Sequence, residues 1–167
     1  MENIKLMNFT ELTLEQKEMV LIWRNSSEIR KWMYSQEEIE LNDHLNFIES
    51  LKSRKDKLYF LVKKEDEFIG VIDFTQLVEK KSVHMGIYSN PKIKGNGKIL
   101  LNMIIDYSFN NLKVKRIFSE AFAENDKAHN LYKKFNFKNI SEKIVNYKKV
   151  ICMELENDDY KESLCVK

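Results

Sequence analysis

The sequence predicts a mixed α/β fold of the α+β kind, with a mostly antiparallel sheet of about seven strands flanked by about four helices. Three observations predict it. Apolar residues recur at helical spacing in several segments but alternate along 57–77, which is typical of strands. Three strand patterns follow one another with no helix between them, so this part of the sheet is antiparallel. The complete order is β, α, α, three strands, α, β, α and two strands, which favours helices packed on a sheet.

The first third of the chain contains one strand and two helices. The strand is "NIKLMNF" (3–9), and the first helix is "LTLEQKEMVLIWRN" (12–25), for which Thr13 is a candidate cap. The second helix covers about 41–52. The residues expected to face inward are Leu14, Met19, Val20 and Trp23 on the first helix and Leu41, Leu45, Ile48 and Leu51 on the second.

The remaining elements are read in the same way. Strands at 57–64 and 67–77 are joined by an acidic turn, Glu65-Asp66, which predicts a hairpin. The elements that follow are a strand at 81–89, a helix from Gly97 to about Asn111, a strand at 114–122, a helix at 125–135 and a hairpin of 137–145 with 147–155. We expect a single domain over 1–156 and a polar tail over 157–167.

Composition excludes several classes of function. Apolar residues make up 43% of the 167, charged residues 32%, and the net charge is +2, so no basic surface for nucleic acid or membrane is indicated. The two cysteines, Cys152 and Cys165, form neither a metal-ligand pattern nor a disulfide scaffold. The N-terminus lacks the apolar core of a signal peptide. We expect a cytoplasmic protein without a metal, acting as a monomer or homodimer.

A loop between a strand and a helix carries the first functional motif. "NPKIKGNGK" (90–98) contains the only proline and two of the four glycines. Free N–H groups at a helix start, together with the helix dipole, form a site for phosphate. Gly95 and Gly97 allow close approach of an anion. The alternative is a tight strand–helix turn with solvated lysines, because a glycine pair alone is a weak signal.

The second motif is "NDKAHNLYKKFNF" (125–137), which follows a strand and opens a helix. Asn125 is a good helix cap, and Tyr132 lies two turns further along the same side. Asn136 replaces the glycine that often ends such a helix, and asparagine also tolerates the left-handed conformation.

The two motifs together resemble motifs A and B of the GCN5-related N-acetyltransferase superfamily. Lys92 to Gly97 match Gln/Arg-x-x-Gly-x-Gly/Ala except that lysine stands first, and Asn125, Ala128 and Tyr132 match Asn-x-x-Ala-x-x-x-Tyr in full. The order of elements matches over about residues 4–155. The resemblance implies the fold of that superfamily and acetyl-CoA as co-substrate.

The same resemblance implies which residues bind acetyl-CoA. The loop amides hold the pyrophosphate, and the fourth strand separates from the fifth so that its backbone pairs with the pantetheine arm. Gly86 is expected to relieve crowding there, although a β-bulge would also explain it. The implied residues are Ile87, Tyr88, Ser89, Lys92, Lys94, Gly95, Asn96, Gly97, Lys98, Asn125, Lys127 and Ala128.

The reaction needs a neutral amine, a donor for the oxyanion and a proton for the leaving thiolate. Tyr132 stands at the family position of the acid, although a tyrosine packed in the core explains it as well. The N–H near Ile87 is the implied oxyanion donor. His84 stands where many relatives carry a glutamate base, and His44, Asp73 and Glu120 are alternatives. His129 is expected on the outer side of its helix, without a role.

The segment "WRNSSEIRKWMYS" (23–35) is the candidate acceptor site. Arg24 can bind phosphate in bidentate fashion, and Trp32, Met33 and Tyr34 could cover a base or sugar. The alternative is an arginine that bridges helices, with aromatic residues filling the core. We also assign His44 and Asp73 to the acceptor site.

Several segments indicate the acceptor by resemblance. They are "WRN", "WMY", "HLNFIESL", "YFLV", "IGVIDF", "GIYSNPKIKGNGK" and "NDKAHNLY". Together they resemble the bacterial N-acetyltransferases of pseudaminic acid biosynthesis for flagellin glycosylation. Their acceptor is the 4-amino group of a UDP-linked 4-amino-4,6-dideoxy sugar. The alternatives are a ribosomal-type protein N-terminal acetyltransferase, which often shares a "WRN"-like start, and a non-catalytic acyl-CoA-binding module.

Overall fold

A computed structural model describes residues 2–158 and shows a seven-stranded sheet in the order β1-β2-β3-β4-β5-β7-β6. The strands are β1 (Ile4–Asn8), β2 (Leu58–Lys64), β3 (Glu67–Val78), β4 (Ser82–Ser89), β5 (Arg116–Phe122), β6 (Lys138–Val145) and β7 (Lys148–Glu156). Within the described residues, β4 and β5 are the one parallel pair. The predicted fold class is confirmed. Most of the predicted tail, from residue 159 onward, lies outside the described residues.

Residues 2–158 contain five α-helices, which accompany the sheet. They are α1 (Leu14–Asn25), α2 (Ser27–Arg30), α3 (Leu41–Ser50), α4 (Gly97–Asp106) and α5 (Asp126–Lys134). Thr13 caps α1 in a reciprocal capping box with Gln16. The helix predicted to reach Asn111 ends as a π turn over Tyr107–Asn111. Asn136 adopts φ 70°, so it supplies the left-handed turn after α5, as predicted.

The packing corrects the predicted inward face of α1. Leu14 is 58% exposed, whereas Val20 and Trp23 are buried. At 3.6 residues per turn, Leu14 lies about 180° from Trp23 around the helix axis, so the two cannot share a face. On α3 the buried face is formed by His44 and Ile48, and Leu41 is exposed.

The helices form two layers because strand residues alternate between the sheet's faces. One face packs against α4 and α5 in a core that includes Ile72, Leu100 and Ile104. The other face packs against α1 and α3 through Val20, Trp23 and other residues of a second core. A ligand that reaches both layers must therefore pass through the sheet.

The divergence of β4 and β5 provides that passage. Their parallel pairing covers only Ser82–His84 against Arg116–Phe118. Beyond this point β4 stays paired with β3 as far as Ser89, and β5 stays paired with β7 as far as Phe122. The two strands therefore separate, as the resemblance implied, and leave backbone groups of β4 unpaired on that side.

Candidate active site

A cavity of about 430 Å³ occupies the gap between β4 and β5. Met85 and Ile87 line it from one face of the sheet, and Gly86 and Tyr88 line it from the other. The cavity therefore passes through the sheet and connects the two helical layers. Its volume lies within the range of small-molecule sites.

The cavity brings together residues from all three predicted groups. Those that line it are Tyr132 from the catalytic pair, Ile87, Tyr88 and Asn125 from the cofactor set, and Arg24, Trp32, Met33, His44 and Asp73 from the acceptor set. The predicted residues that do not line it are His84, Tyr34, Ser89, Ala128, Lys127 and the loop residues Lys92, Lys94, Gly95, Asn96, Gly97 and Lys98.

The loop before α4 is open to an incoming group. Gly95 has φ +90°, a conformation that L side chains rarely adopt, and no heavy atom lies within 4 Å of a Cβ built there. Asn96 is the N-cap residue of α4, but its side chain makes no capping hydrogen bond. The first N–H groups of this helix therefore lack a side-chain partner.

The other loop residues have different surroundings. A Cβ on Gly97 would lie 3.2 Å from Leu131, so this glycine allows α4 and α5 to pack closely. Lys94 is exposed and forms an ion pair with Glu28 of α2 at 3.2 Å. This contact connects the loop to the N-terminal helices.

Asn125 and Tyr132 are fixed by the start and the buried face of α5. The side-chain Oδ1 of Asn125 accepts from the N–H of Ala128 at 3.3 Å, which confirms the predicted cap. Tyr132 is 5% exposed, and its ring lies against Phe137. Burial, and secondly the charge of Asp73, raise the pKa of Tyr132 to about 12, so the hydroxyl stays protonated at neutral pH.

The prediction for His129 was wrong. This residue is buried, and its Nε2 donates to the carbonyl of Phe122 at 2.8 Å. It lies on the inner side of α5, where it fastens the helix to the end of β5. Among the described residues, its Nδ1 has no hydrogen-bond partner.

Asp73 of β3 lines the cavity beside the start of the gap. It pairs with Gly86 across β3 and β4, and a Cβ on Gly86 would clash with both carboxylate oxygens of Asp73. Gly86 thus makes room for a carboxylate, and neither the predicted pantetheine crowding nor a bulge is needed to explain it. Burial raises the pKa of Asp73 to about 7, against a smaller opposing effect of Lys57.

Arg24 lines the cavity, and part of its guanidinium group has no partner among the described residues. Its Nη2 donates to the carbonyl of Ser35 at 3.3 Å, whereas its buried Nη1 has no hydrogen-bond partner among the described residues. Burial is the main cause that lowers the pKa of Arg24. A buried cation with an unused donor favours an anionic ligand, because an unpaired buried charge is costly.

A segment that we call the strap, residues 31–40, covers this side of the cavity. The side-chain amide of Asn25 exchanges two hydrogen bonds with the backbone of Ile39, both 2.8 Å long. Arg30 donates to the carbonyls of Asn25 and Gln36. The strap directs Trp32 and Met33 into the cavity.

Tyr34 of the strap points elsewhere. Its hydroxyl donates to Glu120, its ring meets Phe122 edge-on, and its carbonyl accepts from Asn146 at 2.6 Å. The prediction that Tyr34 covers a ligand is therefore not supported by its position, because Glu120 and Asn146 hold it outside the cavity lining.

The predicted base His84 also lies outside the cavity lining. It is still paired with Phe118 of β5, so it precedes the opening between the strands. Its Nδ1 lies 3.6 Å from Glu120. Burial lowers the pKa of His84, and Glu120 opposes this effect.

Glu120 lines the cavity, and one of its carboxylate oxygens, Oε1, receives both of its hydrogen bonds, whereas Oε2 lies 3.6 Å from His84. Oε1 accepts from Lys143 at 2.6 Å and from the Tyr34 hydroxyl. Burial acts to raise the pKa of Glu120, but these two hydrogen bonds outweigh burial and lower it. His44 is tied to α1, since its Nε2 donates to the carbonyl of Lys17 at 2.8 Å, and burial lowers its pKa.

Sequence reasoning missed the aromatic wall of the cavity. Tyr59 lies opposite Asp73 in the sheet, with Phe47 at 5.0 Å and Phe9 at 5.4 Å between ring centroids. All three line the cavity. The alternation in "KLYFLV" puts Tyr59 on the same face as Leu61, and this was the available signal.

Comparisons with known proteins identify the family. Residues 19–137 match the family described as "Acetyltransferase (GNAT) family". Acetyltransferase PseH of Campylobacter jejuni subsp. jejuni serotype O:23/36 (strain 81-176) is 42% identical over 134 residues, which cover 80% of this chain and 84% of that protein. Acetyltransferase PseH of serotype O:2 (strain ATCC 700819 / NCTC 11168) is 39% identical over 134 residues, which again cover 80% of this chain and 84% of that protein.

Solved structures agree with this family. The crystal structure of Campylobacter jejuni N-acetyltransferase PseH in complex with acetyl coenzyme A has a TM-score of 0.78 at 35% identity, covering 93% of this chain and 99% of that one. Spermidine N-acetyltransferase from Vibrio cholerae has a TM-score of 0.85 at 19% identity, covering 96% and 98%, and shares the fold.

Two further findings concern the described residues alone. None of their helices is long and apolar enough to cross a membrane, and no group of three or more of their His, Cys, Asp and Glu side chains could hold a metal ion. The family match, the curated relatives and the geometry of the gap agree with the resemblance that the two motifs predicted. The chain therefore belongs to the acetyltransferase (GNAT) family and is an N-acetyltransferase.

Proposed function

We propose that this enzyme transfers the acetyl group of acetyl-CoA to the 4-amino group of a UDP-linked 4-amino-4,6-dideoxy sugar. The specific acceptor is UDP-4-amino-4,6-dideoxy-N-acetyl-β-L-altrosamine, and the step belongs to pseudaminic acid biosynthesis for flagellin glycosylation. The observation that carries the acceptor class is Arg24, which lines the cavity and whose buried Nη1 has no hydrogen-bond partner among the described residues. The 42% identity to acetyltransferase PseH supports the pathway.

Acetyl-CoA enters from the side of α4 and α5. Its pyrophosphate binds the uncapped N–H groups at the start of α4, beside Asn96, Gly97 and the open face of Gly95. The exposed side chains of Lys92, Lys94, Lys98 and Lys127 supply positive charge. Lys94 can exchange its partner Glu28 for the phosphate.

The pantetheine arm lies along β4. The amide of Asn90 donates to Ile69 of β3, so in an alternating antiparallel ladder the backbone groups of Tyr88 and Gly86 also point to β3. Those of Ile87 and Ser89 then point into the gap. The arm pairs with these groups, passes Ala128 and Asn125 at the start of α5, and leaves the thioester carbonyl near the Ile87 N–H as oxyanion donor.

The transfer is direct. The acceptor amine attacks the thioester carbon, the C–S bond breaks, and Tyr132 gives its proton to the departing thiolate. Among the described residues, no cysteine or serine lines the cavity, so a covalent acetyl-enzyme on such a side chain is not favoured. The two substrates meet in the gap between β4 and β5.

The acceptor enters from the opposite side, between α1, α3 and the strap. Arg24 binds its diphosphate, and Trp32 and Met33 contact the sugar or the base. The aromatic wall of Tyr59, Phe47 and Phe9 covers the other side of the sugar. Tyr34 supports the strap, and His44 borders the site. The ribosomal-type alternative is not favoured, since the curated relatives are acetyltransferase PseH.

Release of free thiol from acetyl-CoA tests this proposal with four acceptors. They are the UDP-linked 4-amino sugar, the same amino sugar without UDP, spermidine and a peptide beginning with serine. We expect kcat/KM for the UDP-linked sugar to exceed that of the others by about 10²-fold, since the diphosphate contact is lost in each of them. Preference for spermidine or the peptide would overturn the acceptor assignment and leave the family assignment intact.

A further inference from the structure

We propose that Asp73, and not His84, is the catalytic base that removes the proton from the acceptor's ammonium group. This inference rests on the proposed function, because it concerns how the same amine is prepared for attack. It assigns a catalytic role to a residue of β3, one strand away from the strand where the sequence suggested a base. Three features of the cavity carry it: position, lack of partners and the engagement of the competing groups.

The position of Asp73 is the first feature. Its carboxylate lies over the Cα of Gly86, where any larger residue would displace it. Gly86 is two residues beyond His84, the last residue of β4 that pairs with β5, and directly before Ile87. The carboxylate therefore lies where the gap begins, next to the N–H assigned to the oxyanion. An amine that attacks a carbonyl held there approaches within reach of Asp73.

The lack of partners is the second feature. In residues 2–158, the Asp73 carboxylate has no hydrogen bond and no ion pair, although it lines the cavity. Asp73 is half-buried, and a carboxylate held in a cavity without a partner from the protein favours a cationic ligand. A cationic amine entering the cavity would supply the missing partner. The carboxylate can then accept its proton.

The competing groups are the third feature. Glu120 accepts from Lys143 and Tyr34 through Oε1, and although burial acts to raise its pKa these contacts lower it, so Glu120 is a weaker base than Asp73. His84 precedes the opening and faces Glu120. His44 projects from α3, with Nε2 bound to the carbonyl of Lys17. Of the four candidate bases, Asp73 alone lines the cavity without a hydrogen bond of its side chain within residues 2–158.

The electrostatics of the cavity suit this role. A carboxylate whose pKa burial raises to about 7 can take a proton from an amine and release it again near neutral pH. The titratable and charged groups around it come from every surrounding element. They are Lys57 and Tyr59 at β2, Tyr88 on β4, Tyr132 on α5, Glu120 on β5, Arg24 on α1 and His44 on α3.

The proton balance is simple. The ammonium form of the acceptor gives one proton to the Asp73 carboxylate, which leaves a neutral amine and a neutral carboxylic acid. The amine nitrogen forms a bond to the thioester carbon, and the C–S bond breaks. The second nitrogen proton is lost as the amide forms, and it restores the proton that Tyr132 gave to the thiolate. Asp73 then releases its proton to solvent.

The test is the pH dependence of kcat for Asp73→Asn. We expect kcat to fall by about 10²-fold at pH 7, the scale of general base catalysis. The kcat of the wild type should rise with pH and reach a plateau just above pH 7. The kcat of the variant should instead keep rising until the pH at which the amine loses its proton in solution. The difference in kcat between the variant and the wild type should therefore become smaller at alkaline pH. A deficit that is equal at every pH would overturn the proposal and leave Asp73 a structural residue.

Parallel variants separate the alternatives. Asp66→Asn, the same change in the exposed β2–β3 turn, is the matched control and should leave the pH profile unchanged. In the His84→Gln and His44→Gln variants, kcat should still rise with pH and level off near pH 7, as in the wild type. If either loses that rise while Asp73→Asn keeps it, the base is that histidine. Acceptor preference of the wild type, measured alongside, tests the proposed function separately.

Thermal unfolding checks that the variant is folded. Because burial raises the pKa of Asp73 above its ordinary value of 3.8, the folded protein holds a proton between about pH 4 and 7 that the unfolded chain has lost. Stability from this group is therefore present below pH 4 and lost as pH rises to 7. Asp73→Asn removes this loss, so its Tm at pH 8 should equal or exceed that of the wild type. A lower Tm at pH 8 would assign a structural role to the carboxylate and contradict the proposal.

Discussion

Replacing Tyr132 with phenylalanine is expected to lower kcat by about 10²-fold or more, the scale of general acid catalysis. The change keeps the buried ring and its contact with Phe137, but removes the proton that the thiolate would take. Because the pKa of Tyr132 is raised to about 12, the hydroxyl remains protonated throughout pH 6–9. Ionisation of Tyr132 should therefore cause no fall in the kcat of the wild type in that range.

Controls distinguish a catalytic hydroxyl from a packing residue. Tyr107→Phe removes a hydroxyl from a ring that contacts Phe60 and Phe74, away from the cavity, and should leave kcat unchanged. Tyr88→Phe and Tyr59→Phe remove the other two tyrosine hydroxyls of the lining. If either of these lowers kcat by 10²-fold and Tyr132→Phe does not, the acid is that other tyrosine.

The Arg24→Ala variant is expected to raise the KM of the acceptor by roughly 10- to 100-fold, since a charge-assisted hydrogen bond contributes about 1.5–3 kcal/mol. The guanidinium lies on the acceptor side of the sheet, so the affinity for acetyl-CoA, measured by calorimetry, should change little. For the amino sugar without UDP, KM should differ little between the variant and the wild type, because this acceptor lacks the diphosphate.

Arg24 also holds the strap through Ser35, and a matched variant isolates that effect. Arg30→Ala removes hydrogen bonds to Asn25 and to Gln36 of the strap, but Arg30 does not line the cavity. We expect its acceptor KM to change by only a few-fold. Equal effects of the two variants would mean that Arg24 positions the strap and does not bind the diphosphate.

Most of the fold could be predicted from the sequence because its signals are local. Thr13 and Asn125 cap their helices, Glu65-Asp66 turns the hairpin, and Asn136 takes the left-handed conformation that glycine usually provides. The motifs at 90–98 and 125–137 likewise lie within single segments. Such patterns depend on neighbours in the chain and can be read without knowing the tertiary structure.

The rest of the site depends on contacts between distant segments. The surroundings of Asp73 depend on Gly86, its partner on the neighbouring strand, and on the opening between β4 and β5 that follows His84. Tyr34 lies outside the cavity lining because its hydroxyl donates a hydrogen bond to Glu120, which is distant in the sequence. His129 is buried because Phe122 offers a carbonyl. No periodicity or spacing in the sequence predicts these contacts between distant residues.

The central claim is that both substrates occupy one cavity through the sheet and react directly. Initial rates measured while acetyl-CoA and the UDP-linked 4-amino sugar are both varied test it most directly. We expect intersecting double-reciprocal lines, and no release of coenzyme A in the absence of acceptor. Parallel lines, together with an acetylated enzyme detected by mass spectrometry before acceptor is added, would contradict it, since they are the signature of a covalent intermediate.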